Sequence, residues 1–199
     1  MSIDRKAHEQ NRKSWNAATR AHRTHRPRQA SYFSEGGSTL FEEERDLLGD
    51  VTGRELAYLM CNAGQDSISL ARLGASVTGV DISDSAVEEA RELAAAVDCE
   101  VDFVRSDIYD WFSKATSKFE IAFSSYGIVP WLSDLEAWAA GIERILSPGG
   151  VFVLVDFHPV AVLFDESITL SEPYTGTERF EFDDGVGDYV AQSGETMAP

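Results

Sequence analysis

Disulfide frameworks and metal clusters have no basis in this chain, whose 199 residues hold two cysteines, Cys61 and Cys99, with no CxxC pair and no Cys/His cluster. Both thiols are expected to be free, and no metal site is expected. Long apolar runs are missing as well: none approaches the ~20 residues of a membrane-spanning helix, and the polar, basic N-terminus has no secretory hydrophobic segment. The expectation is a cytoplasmic protein with no membrane partner. A GxGxxG glycine pattern is also absent, which speaks against a nucleotide-dependent oxidoreductase.

Lysine is scarce, 4 of 17 basic residues, and positive charge is concentrated at one end. Residues 1–30 carry eight basic groups against Asp4 and Glu9; the rest of the chain holds 9 basic and 32 acidic groups, a net of −23 within a whole-chain charge of −17. Such a body repels nucleic-acid phosphates and anionic lipid headgroups, so no nucleic-acid partner is expected. The basic arm reads as a solvated helix face that docks on the acidic body.

What the chain does contain is a regular alternation of apolar strands and amphipathic helices. Strands are predicted at about 55–60, 76–80, 101–105, 119–124 and 151–156, with helices at about 66–73, 84–97 and 135–146. Ser85 and Glu88 have the spacing of a capping box, and Ser147 to Gly150 read as a sharp reversal before the fifth strand. The pattern predicts an α/β fold: a doubly wound, mostly parallel Rossmann-like sheet with helices on both faces. Three regions follow: a helical arm or lid at 1–50, with helices near 4–20 and 40–48, the sheet core at 51–159, and an irregular β-rich flap at 160–199.

The chemistry concentrates in ELAYLMCNAGQDSISLARLGASVTGVDIS, Glu55 to Ser83. Asn62 and Gly64 can supply the left-handed backbone of a turn that lets the chain approach a ligand. Asp81, at the end of the second strand, can accept both hydroxyls of a ribose, or else cap the following helix. Asp66, in the first turn after the glycine, would repel a pyrophosphate and tolerates a zwitterionic sulfonium ligand better. Asp107 at the third strand tip can take the amine of an adenine while Ile108 packs on its ring; a turn-forming aspartate is the alternative.

These residues, with FVRSDIYDW, FEIAFSSYGIVPWLSDLEAW and ILSPGGVFVLVDFHP, resemble the class I S-adenosylmethionine-dependent methyltransferases over about residues 10–159. The resemblance implies S-adenosylmethionine as cofactor and methyl transfer to a small-molecule acceptor, with a non-catalytic or partner-dependent binding module as the alternative. It places Cys61, Asn62, Ala63 and Gly64 on the methionine side, Asp81 and Ile82 at the ribose, Asp107 and Ile108 at the adenine, and Ser124, Ser125 and Tyr126 beneath the sulfonium. The family's strand-one acid and first glycines appear here as Tyr58, Met60 and Asn62. Some of the family's usual C-terminal strands are lacking, so either the sheet is shortened or another chain, such as a second copy in a homodimer, covers the exposed edge.

Methyl transfer needs positioning before it needs a proton shuttle. Should the acceptor require a general base, His158 just past the fifth strand is the first candidate and Tyr126 the second. Trp15, Tyr32, Phe33, Tyr126 and Trp131 are candidates for an aromatic wall facing the cation.

Overall fold

The computed structural model describes residues 3–164, 167–170 and 185–187. Its sheet runs through β1 (Glu55–Leu59), β2 (Ser76–Asp81), β3 (Asp102–Arg105), β4 (Phe119–Ser125) and β5 (Leu146–Val155), in the spatial order β3-β2-β1-β4-β5 with every pairing parallel. The order reverses between β1 and β4, so the crevice that forms where neighbouring crossovers leave in opposite directions lies over those two tips.

Burial explains why both faces are covered. Leu56 and Tyr58 of β1 belong to one cluster with Phe33, Ile68, Val87, Ala90 and Leu93, while Ala57 and Leu59 belong to another with Trp111, Phe112, Trp138 and Ile142. The period of two along the strand sends alternate side chains to opposite layers. The first layer is built from α2 (Gln29–Ser34), α3 (Glu42–Leu48), α4 (Gln65–Arg72) and α5 (Asp84–Ala96), the second from α6 (Ile108–Lys114) and α7 (Leu135–Ile145). The expected doubly wound sheet is present.

Helix starts are set by short polar side chains. Ser83 Oγ accepts from Ala86 N, Asp107 from Tyr109 N and Asp134 from Ala137 N at 2.9–3.1 Å. Each satisfies one of the amide donors that a helix N-terminus leaves unpaired. The cap of α5 is therefore Ser83, and the box expected at Ser85 and Glu88 does not form. Gly64 opens α4 with φ +78°, and a Cβ there would lie 2.6 Å from both Ala90 Cβ and Phe103 Cζ. Glycine is needed at that position for conformation and for space at once.

Several boundaries differ from the sequence reading. The first helix, α1 (Arg5–Thr24), runs past residue 20, and α2 and α6 appear where no helix was expected. Residues 147–150 do not reverse the chain; they lie inside β5, which pairs Leu146 with Phe119 and Val151 with Ile121 across a register shift. The two extra glycines and the proline are absorbed as an irregularity of the strand, as bulges commonly are. Most of the flap expected at 160–199 lies outside the described residues.

α1 crosses the strand tips as a strap. Asp4 N donates to Ser133 Oγ beside α7, Arg5 pairs with Asp107 and Asp110, Arg12 with Asp84, and Arg23 with Glu92 on α5. The basic face thus docks on the acidic body. Individually exposed pairs of this kind contribute only ~0–1 kcal/mol each, so the apolar underside with Ala18 buried carries part of the hold.

Candidate functional site

Beneath α1, beyond the carboxyl ends of β1–β4, lies a cavity of about 1540 Å³. Of the residues singled out in the sequence, Cys61, Asn62, Asp81, Ile82, Asp107, Ile108, Ser125 and Tyr126 line it. Ala63, Gly64, Ser124 and His158 do not. Ser124 is fully buried and donates to Leu59 O at 2.6 Å, so it ties β4 to β1. Gly64 packs against α5 and β3, as described. His158 is exposed, its Nδ1 accepting from Val160 N at 3.2 Å to cap a short 3-10 turn, Pro159–Val162. The sequence placed it beyond a strand tip correctly, but the chain turns outward there.

The floor of the cavity is strained. Met60 (φ +61°), Asn62 (φ +50°) and Tyr126 (φ +46°) adopt left-handed backbone at non-glycine positions around the β1 and β4 tips. Such conformations persist where the surroundings over-determine them, and they cluster at binding sites. At Tyr126 the determinant is Asp156, whose carboxylate accepts from the amides of Gly127, Ile128, Val129 and Phe157. One side chain at the end of β5 thereby shapes the wall that follows β4.

Asp81 ends β2 on the cavity wall. Its Oδ2 accepts from Asn62 N and its Oδ1 from Ser83 N, each at 2.8 Å. Burial pushes its carboxyl up, against the pull of the amides of Ser83, Asn62 and Ile82. A carboxylate has about four acceptor positions, and two are spent here, so the pair of oxygens retains capacity for two further donors. The helix-cap alternative is taken by Ser83.

Asp66 stands at the tip shared by β1 and β4. It accepts from Thr39 Oγ1 at 2.5 Å and from Tyr58 OH at 3.0 Å, and Tyr58 OH also meets Ser125 Oγ at 2.5 Å. Burial raises its carboxyl above the usual range, while Thr39, Tyr58 and the nearby Arg26 oppose the rise. Cys61 is buried with its thiol pushed well up by desolvation and by Asp81, so it is no nucleophile. The Tyr126 phenol is likewise pushed up, by burial and by its hydrogen bond to Glu43 Oε1 at 3.0 Å, and stays protonated near neutrality.

Asp107 departs furthest from its sequence reading. Its Oδ2 lies 2.6 Å from His8 Nδ1, and its Oδ1 accepts from Arg5 at 2.8 Å and from Tyr109 N at 2.9 Å. Burial raises its carboxyl, but His8 and Arg5 more than compensate and hold it below the ordinary value. The sequence missed His8, Asn11, Arg26, Thr39 and Gln65 as wall residues. Nothing in their local pattern marks them: His8, Asn11, Arg26 and Thr39 reach the cavity only after α1 and the 25–41 segment have folded over the sheet, and Gln65 is an ordinary first residue of α4. The outer wall is aromatic: Trp15 meets Trp131 edge-on at 5.5 Å, and Tyr126 contacts Phe41 and Phe157, each at 5.5 Å between ring centres. Val186 joins this wall, its amide donating to Ser14 of α1 at 2.7 Å.

Comparison with known proteins agrees with this geometry. Residues 58–150 match the family described as "Methyltransferase domain". An uncharacterised methyltransferase of Synechocystis sp. is 29% identical over 107 residues, covering 53% of this chain and 48% of that protein. The ubiquinone biosynthesis O-methyltransferase of Alkalilimnicola ehrlichii is 27% identical over 119 residues, covering 59% and 48%. Among solved structures, an S-adenosylmethionine-dependent methyltransferase from Mesorhizobium loti superposes with a TM-score of 0.52 at 28% identity, covering 60% of this chain and 54% of that one. The chain spans about half the length of the curated relatives it matches. Its sheet order, the carboxylate at the β2 tip and these matches together make the chain similar to the class I S-adenosylmethionine-dependent methyltransferases.

Proposed function

We propose that this chain binds S-adenosylmethionine along the strand tips and transfers its methyl group to a small-molecule acceptor. The observation that carries the reading is Asp81, a cavity-wall carboxylate at the end of β2 with acceptor capacity left for a sugar diol. When bound, the cofactor would supply a sulfonium-activated methyl group, the neutral thioether leaving with the carbon–sulfur electron pair and needing no acid assistance.

The residues of the chain then have distinct tasks. Asp81 holds the ribose, and Ile82 and Ile108 flank the base. Cys61 and Asn62 border the methionine side, where Asp66, hydrogen-bonded to Tyr58, supplies the carboxylate that the first strand itself lacks. Trp15, Trp131 and Tyr126 exclude water and present ring faces to a cation. Holding both reactants in line can lower the barrier by about 7–11 kcal/mol, so no general base is required of His158 or Tyr126.

The volume supports a second molecule beside the cofactor, since single-ligand sites are commonly about 300–1,000 Å³. The aromatic wall of Phe41, Tyr126, Trp131 and Phe157 suits a flat, apolar acceptor. The name of the Alkalilimnicola relative favours oxygen as the methylated atom. Titration calorimetry of the full chain with S-adenosylhomocysteine tests the reading: binding is expected in the wild type and its loss in Asp81→Ala. Equal affinity in the two proteins would remove the ribose assignment, and no binding by either would overturn the function.

A further inference from the structure

Two carboxyls lie near the tips of β1 and β4, and a pair of hydroxyls stands between them. Asp66 lines the cavity and accepts from Thr39 Oγ1 and Tyr58 OH. Glu44 of α3 is 1% exposed and stands behind the cavity wall. Its Oε2 accepts from Phe41 N at 2.8 Å, while among the described residues its Oε1 has no hydrogen-bond partner. Ser125 connects the two carboxyls: its Oγ meets Tyr58 OH at 2.5 Å, and its hydroxyl favours the Glu44 anion.

Proton counting shows what the connection requires. The junctions Asp66–Tyr58, Tyr58–Ser125 and Ser125–Glu44 each need one proton, and the two hydroxyls supply one apiece. With both carboxyls ionised, one junction sets lone pairs against each other in a buried place, which is costly. One proton on either carboxyl completes the chain, running from Glu44 through Ser125 and Tyr58 to Asp66 or the reverse. Electrostatics agrees with the count. Burial raises both carboxyls, and Asp66 and Glu43 push Glu44 further up. Burial and Asp66 also keep the Tyr58 phenol protonated, and Cys61 at the β1 tip and Tyr126 at the β4 tip are raised in the same way. Arg26, from the connection between α1 and α2, is the cation that opposes the rise at Asp66. Two carboxyls joined like this titrate as a unit.

A cation at Asp66 changes the count. An ammonium N–H donating to Asp66 supplies the third proton; Tyr58 then turns its own toward Ser125, and Ser125 toward Glu44, so both carboxyls can ionise. Asp66 has room for that donor, since a carboxylate has about four acceptor positions and Thr39 and Tyr58 take two. Resting on the proposed function, which sets the methionine end of the cofactor beside Asp66, we propose that Asp66 and Glu44 share one proton in the ligand-free protein and that the cofactor's α-ammonium expels it to solvent on binding. Cofactor capture is then coupled to pH through Glu44, a positioning residue that lies outside the cavity wall.

Titration calorimetry of the full chain with S-adenosylhomocysteine, repeated in buffers of different ionisation enthalpy between about pH 5 and 7, counts the protons exchanged. Release is expected to approach one proton per ligand at the acid end and to decline toward neutrality, so affinity rises with pH by up to about tenfold per unit. 5′-Methylthioadenosine, which has no ammonium group, is expected to bind without that release. Glu44→Gln, whose amide can donate to Ser125 in place of the shared proton, is expected to bind S-adenosylhomocysteine with no release and with an affinity independent of pH. Ser125→Ala cuts the connection, is expected to lose the release as well, and stands in if the Glu44 variant fails to fold. Equal release from both ligands, no release with S-adenosylhomocysteine, or undiminished release in either folded variant would overturn the shared proton. A wild type that binds no S-adenosylhomocysteine overturns the cofactor reading beneath it.

Discussion

Replacing Gly64 by alanine would test whether the β1–α4 turn is held by conformation, by packing, or by both. A left-handed alanine is destabilised by about 1–2 kcal/mol relative to its preferred backbone. The new methyl also arrives 2.6 Å from Ala90 Cβ, fixed to α5, and from Phe103 Cζ, the tip of a ring that is only 2% exposed, and overpacking of that kind costs about 1–3 kcal/mol. Reduced freedom of the unfolded chain returns about 0.4–1 kcal/mol. The net expectation is a loss of roughly 2–4 kcal/mol, or about 4–16 °C in Tm for a chain of this size. Gly53 provides the internal reference: its φ is +71° in the turn closed by Arg54 N on Val51 O, and nothing lies within 4 Å of its would-be Cβ, so Gly53→Ala feels the backbone contribution alone, about 1 kcal/mol. Urea unfolding followed by tryptophan fluorescence and far-UV circular dichroism gives both numbers, with an unchanged m-value as the control for two-state behaviour. Equal losses in the two variants would refute the claim that α4 is seated against Ala90 and Phe103 without room for a methyl group.

Ser83→Ala removes the cap of α5 together with the hydroxyl that donates to Asn16 Oδ1 at 2.7 Å, and a loss of about 1 kcal/mol is expected in the same unfolding experiment. Asp66→Asn addresses pH: because burial raises the Asp66 carboxyl in the folded state, its contribution is most favourable below the unfolded value of about 3.9 and is lost as pH rises through the folded one. The Tm of the ligand-free variant relative to wild type should therefore climb between about pH 4 and neutrality, and a difference independent of pH would contradict the raised carboxyl.

The sheet core was readable because its signals are local. Leu56 and Tyr58 alternate with Ala57 and Leu59, and Val87, Ala90 and Leu93 recur at helical spacing, so periodicity alone locates β1 and α5. The short helix α6 escaped for the opposite reason. Its residues Tyr109, Trp111 and Phe112 have modest helix propensity, and the helix is stabilised by burying them against Phe119 and Trp138 and by the Asp107 cap. At the site, the residue types at the strand tips were legible, whereas their partners were not. Asp107 meets His8 across 99 positions of sequence and Tyr58 meets Ser125 across 67, and no window of the chain contains both members of either pair. His158 misled because a position after a strand fixes where the chain leaves the sheet, and the direction of departure is set by Pro159 and the turn it begins.

Asp156 has a consequence for how the two ends of the molecule communicate. It caps the outermost strand, whose far edge carries no strand partner among the described residues, and its carboxylate gathers the amides that hold Tyr126 in place. The border of the sheet and the cavity wall around Tyr126 therefore share one anchoring side chain, so a substitution at the end of the outermost strand reaches the cavity without lining it.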